Sequence, residues 1–314
     1  MATRIANLAQ NYLMRSVIHN TQSRLADAQL QISTGQKSQD YAGIADASSR
    51  LVTLESSGRR IDQFLNDNSF VNLRLDTMLN SIDKIKNTLN DVQGLLRDIL
   101  EDGGLPVGID KDEIIETKFS EVRDFLNVQI NGRYLFAGSK TDTKPVVVSD
   151  LSVAAANSGA PNYTTTAEPS FYYQGDDVVQ KARIADGVVI SYGVTAENPA
   201  FEKVIRAMRI IRSADLSGGD PNYLAKIQDA MNIVTQADSS LRDLELNLGT
   251  KQQQLARTNE QHTNVKTFFD TIIGELESAD TYDAVARLNA DQVMLEASYK
   301  TVVRLSEMKL TNFL

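Results

Sequence analysis

Residues 51–100 read LVTLESSGRRIDQFLNDNSFVNLRLDTMLNSIDKIKNTLNDVQGLLRDIL. Apolar side chains recur along this stretch in alternating steps of three and four. They fall at Leu51, Leu54, Ile61, Leu65, Val71, Leu75, Met78, Ile82, Ile85, Leu89, Val92, Leu96 and Ile99, with Gly58 and Asn68 filling the seam between them. Such a heptad seam keeps one face of a helix apolar along its whole length. A repeated step of three next to Asn68 marks a single phase slip. The spacing predicts one helix from about Ala45 to Glu101, roughly 85 Å long at about 1.5 Å per residue. No single globular core covers a rod of that length, so it needs partner helices.

The chain supplies them. GGLPVG (103–108) breaks the rod, and Asp110 with Glu113 makes a start resembling a capping box. Ile115, Phe119, Val122, Leu126 and Gln129 stripe a second helix, which the short connection folds back antiparallel. Further on, GGDPN (218–222) offers Asp220 as N-cap and Pro221 at the first helical position. The stripe Leu224, Ile227, Met231, Val234, Asp238, Leu241, Leu244, Leu248 follows, and resumes at Leu255, His262, Val265, Phe269, Ile272 and Leu276. This is a second rod of similar length.

The ends are helical as well. Leu8, Tyr12, Ile18, Leu25 and Ile32 stripe an N-terminal helix that stops at STGQKSQDYAG (33–43). Val285, Leu288, Leu295, Tyr299, Val302, Leu305 and Met308 stripe a C-terminal one, with Asp280 as its N-cap and Phe313 and Leu314 beyond it. The order is nested: terminal helix, rod, middle, rod, terminal helix. Between RYLFAG (133–138) and about Pro199 the helical period gives way to short β-rich runs, PVVVSD, SFYYQG and VVISYGV, punctuated by Gly, Asp and Asn. A short helix, PAFEKVIRAMRIIRS, leads back to the second rod. The fold class expected is mainly α with a small β insertion: a nested antiparallel long-helix bundle or coiled coil, with the β-rich domain at its tip. Residues 1–44 and 279–314 form the terminal pair, 45–136 and 200–278 the rods, and 137–199 the insertion.

Composition narrows the function. A formal net charge of −9 argues against a nucleic-acid or anionic-membrane surface. With no Cys, thiolate catalysis, disulfides and Cys-ligated metals are excluded. His19 and His262 are far apart, which disfavours a His-rich metal site. The start, MATRIANLAQNYLMRS, lacks the apolar core of a secretory signal, so export, if any, is expected without a cleaved signal of the usual kind.

Motifs for chemistry are weak. GRYLFAGSKT (132–141) has Ser139 where a phosphate loop needs Gly before its Lys, and Tyr134 where it needs the earlier Gly. A turn after a strand fits better. QGDDV (174–178) reads as a turn with solvated acids rather than an acid/base or calcium site. His262, Asp238 and Asn68 interrupt apolar stripes, where polar residues more often set register than carry chemistry. No catalytic residue, cofactor or metal is expected.

The apolar ends pose an energetic question. Burying six residues such as Tyr299, Val302, Leu305, Met308, Phe313 and Leu314 contributes on the order of 10 kcal/mol. Ordering about thirty residues costs about 1–2 kcal/mol each. Two terminal helices touching along one seam are therefore marginal, and neighbouring subunits are expected to cover their remaining faces. The termini are expected to be mobile in a monomer and helical in an assembly. The predicted assembly interface is Leu8, Tyr12, Ile18, Leu25, Ile32, Val285, Leu288, Leu295, Tyr299, Val302, Leu305, Met308, Phe313 and Leu314.

QLQISTGQKSQDYAGIADASSRL (29–51) and DQVMLEASYKTVVRLSEMKLTNFL (291–314) resemble the segment after the N-terminal helix and the C-terminal helix of the bacterial flagellin superfamily. NGRYLFAGSKTDTKPV (131–146), FYYQGDD (171–177) and IADGVVISYGVTAENPAF (184–201) resemble its hook-associated members, whereas DYAGIADASSR (40–50) leans toward flagellins proper. The resemblance implies a structural, non-enzymatic part of the extracellular flagellum, exported unfolded and assembled at the distal end. Its implied partners are copies of itself in a ring-like layer, a neighbouring hook-associated protein, flagellin and an export chaperone, with no nucleic acid and no membrane. A filament-forming flagellin is the alternative within the superfamily. A coiled-coil signalling or toxin-like bundle is the alternative outside it.

Overall fold

A computed structural model of the chain describes residues 2–102, 109–151, 172–215 and 221–311. In order, the elements are α1 (Ala2–Thr34), a 3-10 turn (Tyr41–Ile44), α2 (Ala45–Asp102), α3 (Lys111–Leu126), β1 (Gln129–Ile130), β2 (Arg133–Tyr134), β3 (Lys181–Ala185), β4 (Val188–Ser191), α4 (Pro199–Ser213), α5 (Tyr223–Glu277) and α6 (Thr281–Thr311). The chain divides into two compact units, Met1–Ile61 with Thr263–Leu314, and Asp62–His262. The fold is mainly helical, with a few short antiparallel strands.

The seam read from residues 71–99 is the spine of the larger unit. Val71, Leu75, Met78, Ile82, Ile85, Leu89, Val92, Leu96 and Ile99 are all buried. They share one core with Ile115, Phe119, Val122 and Leu126 of α3 and with Ile227, Val234, Leu241, Leu244, Leu248 and Leu255 of α5. Lys86 of α2 reaches Glu245 of α5 at 2.7 Å, and Gln252 of α5 meets Asn72 and Asp76 of α2. The two stripes thus cover each other, as their matched spacing requires.

α3 starts where the sequence places it. The Asp110 carboxylate accepts from the Asp112 amide at 2.8 Å, satisfying one donor of the first turn. Its end is earlier than the stripe suggests. Gln129 belongs to β1, because Asn131 (φ 52°) and Gly132 (φ 74°) turn the chain back and pair Gln129 with Tyr134 and Ile130 with Arg133. Two consecutive positive φ values make the two-residue hairpin turn that Asn-Gly favours. α5 likewise differs at its start. Pro221 and Asn222 form a turn, Asn222 supplies the carbonyl that accepts from the Lys226 amide (3.0 Å), and the helix begins at Tyr223. Pro221 therefore precedes the helix; Asp220 lies outside the described residues.

α4 closes the bundle. Asn198 caps it, accepting from the Ala200 amide at 3.0 Å, and Pro199 occupies the first turn. The helix is buried on nearly all sides, Glu202, Arg206 and Arg209 included, and Arg206 pairs with Glu202 at 3.1 Å. At its C-terminus the buried Lys111 donates to the carbonyls of Ile211 (2.9 Å) and Arg212 (3.3 Å). A cation there satisfies orphan carbonyls at the negative end of the helix dipole.

In the insertion, Val146 bridges Tyr173 and β3 pairs with β4 through the Asp186–Gly187 turn. β3 is irregular between Arg183 and Ala185. The residue between them, Ile184, buries its side chain completely and turns its carbonyl out of the ladder. That oxygen accepts from Asn68 Nδ2 (3.0 Å) and bonds His262 Nε2 (2.9 Å). Asn68 Nδ2 also donates to Asn259 Oδ1 at 2.7 Å, and the His262 ring stacks on Phe64 with centroids 5.4 Å apart. Arg74 adds a bond to Tyr192 Oη at 2.7 Å. The insertion therefore meets α2 near the middle of that helix.

Candidate assembly surface

The smaller unit is built on the pairing of α1 with α6. Both helices are properly ended. Gly35 (φ 71°) terminates α1, its amide donating to Gln31 O at 2.9 Å. Asp280 caps α6, its Oδ1 accepting from the amides of Tyr282 (3.0 Å) and Asp283 (3.1 Å). The two connecting loops are laced together: Lys37 N donates to Glu277 O (2.7 Å), Ala279 N to Gly35 O (2.8 Å), and Gln36 bridges Ser278. Lys37 Nζ donates to Glu275 O (3.3 Å) and Leu276 O (2.9 Å), capping α5.

Among the described residues, those the α1–α6 pair buries most deeply are small or polar: Thr21 and Ala28 on α1, and Ala284 and Asp291 on α6, one heptad apart on each helix. Arg24 Nη2 donates to Asp291 Oδ1 at 2.8 Å and Nε lies 3.2 Å from the same oxygen. Gln22 Nε2 donates to Tyr299 Oη at 2.9 Å. The Asp291 carboxyl is held below its ordinary range, first by the Arg24 hydrogen bonds. The apolar stripes mark this seam at Ile18, Leu25, Ile32, Leu288 and Leu295, and its small and polar members, Thr21, Ala28, Ala284 and Asp291, repeat at seven-residue spacing without an apolar signal.

Of the predicted interface residues, Ile18, Leu25, Ile32, Leu288 and Leu295 alternate with those four along the seam, and others lie open beside it. Tyr12 (68% exposed), Val285, Tyr299 and Val302 (39% exposed) are open to solvent, joined by Leu13, Val17, Val293, Met294 and Val303. Ile18, Leu25, Ile32, Leu288 and Leu295 are half-buried. The side chains of Leu8, Leu305 and Met308, and residues Phe313 and Leu314, lie outside the described part. An exposed apolar surface beside that seam is suited to further helices.

The motifs weighed for chemistry resolve into structure. Asp176 accepts from the Ser139 amide (2.6 Å), the Ser139 hydroxyl and the Val178 amide (3.2 Å), and Lys140 Nζ donates to Gly175 O (3.2 Å). The donors a phosphate loop would offer are thus taken by the chain's own carboxylate. Asp176 is a clamp between two loops rather than a solvated turn acid, and its carboxyl is lowered by those Ser139 bonds. Among the described residues no group of His, Asp and Glu could hold a metal ion, and no helix is long and apolar enough to cross a membrane.

The bacterial flagellin N-terminal helical region matches residues 5–141, and the bacterial flagellin C-terminal helical region matches residues 224–314. Together they cover well over half of the chain. The chain belongs to the flagellin family. Family membership makes it a structural protein of the flagellum, and it places the two matched regions on the nested helices and leaves most of the insertion between them. Similar solved structures include a putative flagellar hook-associated protein from Vibrio parahaemolyticus, at 18% identity and TM-score 0.53, covering 74% of this chain and 99% of that one. FlgL from Bacillus cereus matches at 15% identity and TM-score 0.54, covering 72% of this chain and 100% of that one. These likenesses show a flagellin-type fold. No curated protein sequence matches the chain.

Proposed function

We propose that this flagellin-family protein forms a layer of the flagellum joining hook to filament, with another hook-associated protein on one side, flagellin on the other and copies of itself alongside. The observation that carries the assembly role is the α1–α6 pair. It closes through Thr21, Ala28, Ala284 and Asp291 and leaves Tyr12, Val285, Tyr299 and Val302 uncovered. Burying a side chain of this kind contributes about 1.5–3 kcal/mol, so helices from neighbouring subunits gain by covering them. In this reading residues 1–44 and 279–314 form the inner assembly domain, 45–136 with 200–278 the surrounding helical shell, and 137–199 the outer surface. The stripe Leu8, Tyr12, Ile18, Leu25, Ile32 with Val285, Leu288, Leu295, Tyr299, Val302, Leu305, Met308, Phe313 and Leu314 is its interface. The junction position, as against the filament, is supported by residues 131–146 and 171–201, which resemble hook-associated members. Export in an unfolded state with a chaperone, and assembly outside the cell without cofactors, belong to the same proposal.

A second reading, flagellin itself, is favoured by DYAGIADASSR at 40–50. Negative-stain electron microscopy separates the two. Purified protein is mixed with precipitant or with short filament seeds. Long filaments of this protein alone mean flagellin. Protein that stays unpolymerised, yet caps isolated hooks, fits the junction.

A further inference from the structure

The phase slip in α2 and the irregularity in β3 meet at one atom, the Ile184 carbonyl oxygen. We propose that this contact is a releasable latch, by which the β3–β4 hairpin docks on the helices and can come off them while the helical bundle stays folded.

Three independent observations lead there. First, the heptad stripe of α2 breaks step at Asn68, a polar residue that is completely buried. A buried amide in a helix seam is costly unless it is bonded. Its Nδ2 is spent on Ile184 O and Asn259 Oδ1, so its first partner outside the helices is the insertion. Second, β3 loses ladder register between Arg183 and Ala185, which frees the Ile184 carbonyl to point at the helices. A carbonyl oxygen has two lone pairs, and here it has two partners, Asn68 from α2 and His262 from α5. Third, His262 is held flat against Phe64 at an interplanar angle of 3°, which fixes the ring that bonds Ile184, and the Arg183 guanidinium lies 5.9 Å from the same Phe64 ring.

Besides the latch, the hairpin is anchored by a few buried side chains and by the Arg74 bond to Tyr192 at its end. Ile184 and Ile190 are its buried side chains, while Lys181, Arg183, Val188, Val189 and Ser191 face solvent. A two-stranded hairpin is marginal by itself in water. Ile184, Ile190 and Tyr192 join the apolar core, but most of that core is built from α2, α3, α4 and α5 side chains packed on one another. Without the latch the hairpin keeps only those few side chains and the Arg74–Tyr192 bond, whereas the helices keep their mutual packing, which makes the hairpin the locally opening unit.

The test is amide hydrogen exchange on the full chain, comparing residues 181–192 with residues 75–99 of α2. The variants are Asn68→Ala, His262→Ala, the two together, and His262→Gln, which keeps an N–H at the end of the side chain. Loss of a buried hydrogen bond is expected to speed exchange of the hairpin about tenfold or more in each alanine variant. The double variant is expected to exceed either single one, with the helix amides unchanged and H262Q close to wild type. Unchanged hairpin exchange in the double variant overturns the latch. Hairpin and helices accelerating by one common factor overturns its independence from the bundle. H262Q behaving as H262A overturns the hydrogen bond as its basis.

Discussion

Arg24 on α1 and Asp291 on α6 join across 267 positions of sequence, guanidinium to carboxylate at 2.8 Å. The pair sits beside Thr21, in a seam that also holds Ala28, Ala284 and the half-buried Leu25 and Leu288. Because Asp291 is held below its unfolded value, near 3.8, its contribution to stability is fully present above that pH. It is lost as pH falls through the lower, folded value. The opening of residues 12–34 and 281–304 in the monomer, read by amide exchange, is therefore expected to show no pH dependence from this pair near neutral pH and to gain one in acid. Asp291→Asn is expected to abolish that acid step; its persistence in the variant would assign it to another group.

The apolar faces of the same two helices carry a second expectation. Leu305→Asp places a charge on the stripe that neighbouring subunits would cover, and an uncompensated buried charge is costly. The variant is expected to remain a folded monomer by circular dichroism and to fail to assemble in cells. Normal motility in that strain counts against the proposed interface.

Gly138 is expected to resist substitution. It adopts φ 71°, and a Cβ there would meet Asp176 Oδ1 and O at 2.1 and 2.3 Å. Gly138→Ala should cost about 1–2 kcal/mol from conformation alone, and more from displacing the clamp that bonds Ser139. A urea titration followed by circular dichroism reads this, with Gly187→Ala, where nothing crowds the Cβ, as the milder comparison.

Phe119 tests the core of the helical bundle. It is fully buried on α3 within the cluster shared by α2, α4 and α5. Phe119→Ala is expected to lower stability by about 3–5 kcal/mol and Phe119→Leu by much less. Equilibrium unfolding measures both; equal effects would mean that α3 contributes little to the packing.

The helices were legible because their signal is long and repeated. Val71 to Ile99 reads as one face whichever residue starts the count, and the caps at Asp110 and Asp280 fall beside the stripes they begin. What escaped was short or non-local. The Asn131–Gly132 turn is two residues long and took Gln129 out of a helix it seemed to extend. Pro221 looks like a helix start, yet a turn intervenes. Asn68 and His262 stood out as polar breaks in their stripes, but their common partner is a backbone oxygen, which no side-chain pattern announces. Arg206 and Arg209 are charged yet buried, which no local pattern of residues announces. The small and polar members of the α1–α6 seam carry no stripe of their own: alanines and a threonine attract no notice beside leucines and tyrosines.

The pairing of the first helix with the last has a consequence in time. A ribosome adding about 5–20 residues per second finishes α1 on the order of tens of seconds before Asp291 exists. Throughout that interval Arg24 and the apolar side chains of α1 have no proper mate. Fragments cut short anywhere before α6 can never satisfy them. The fold thereby ties the partners of α1 to the last helix, since Arg24 finds its carboxylate only once α6 has been made.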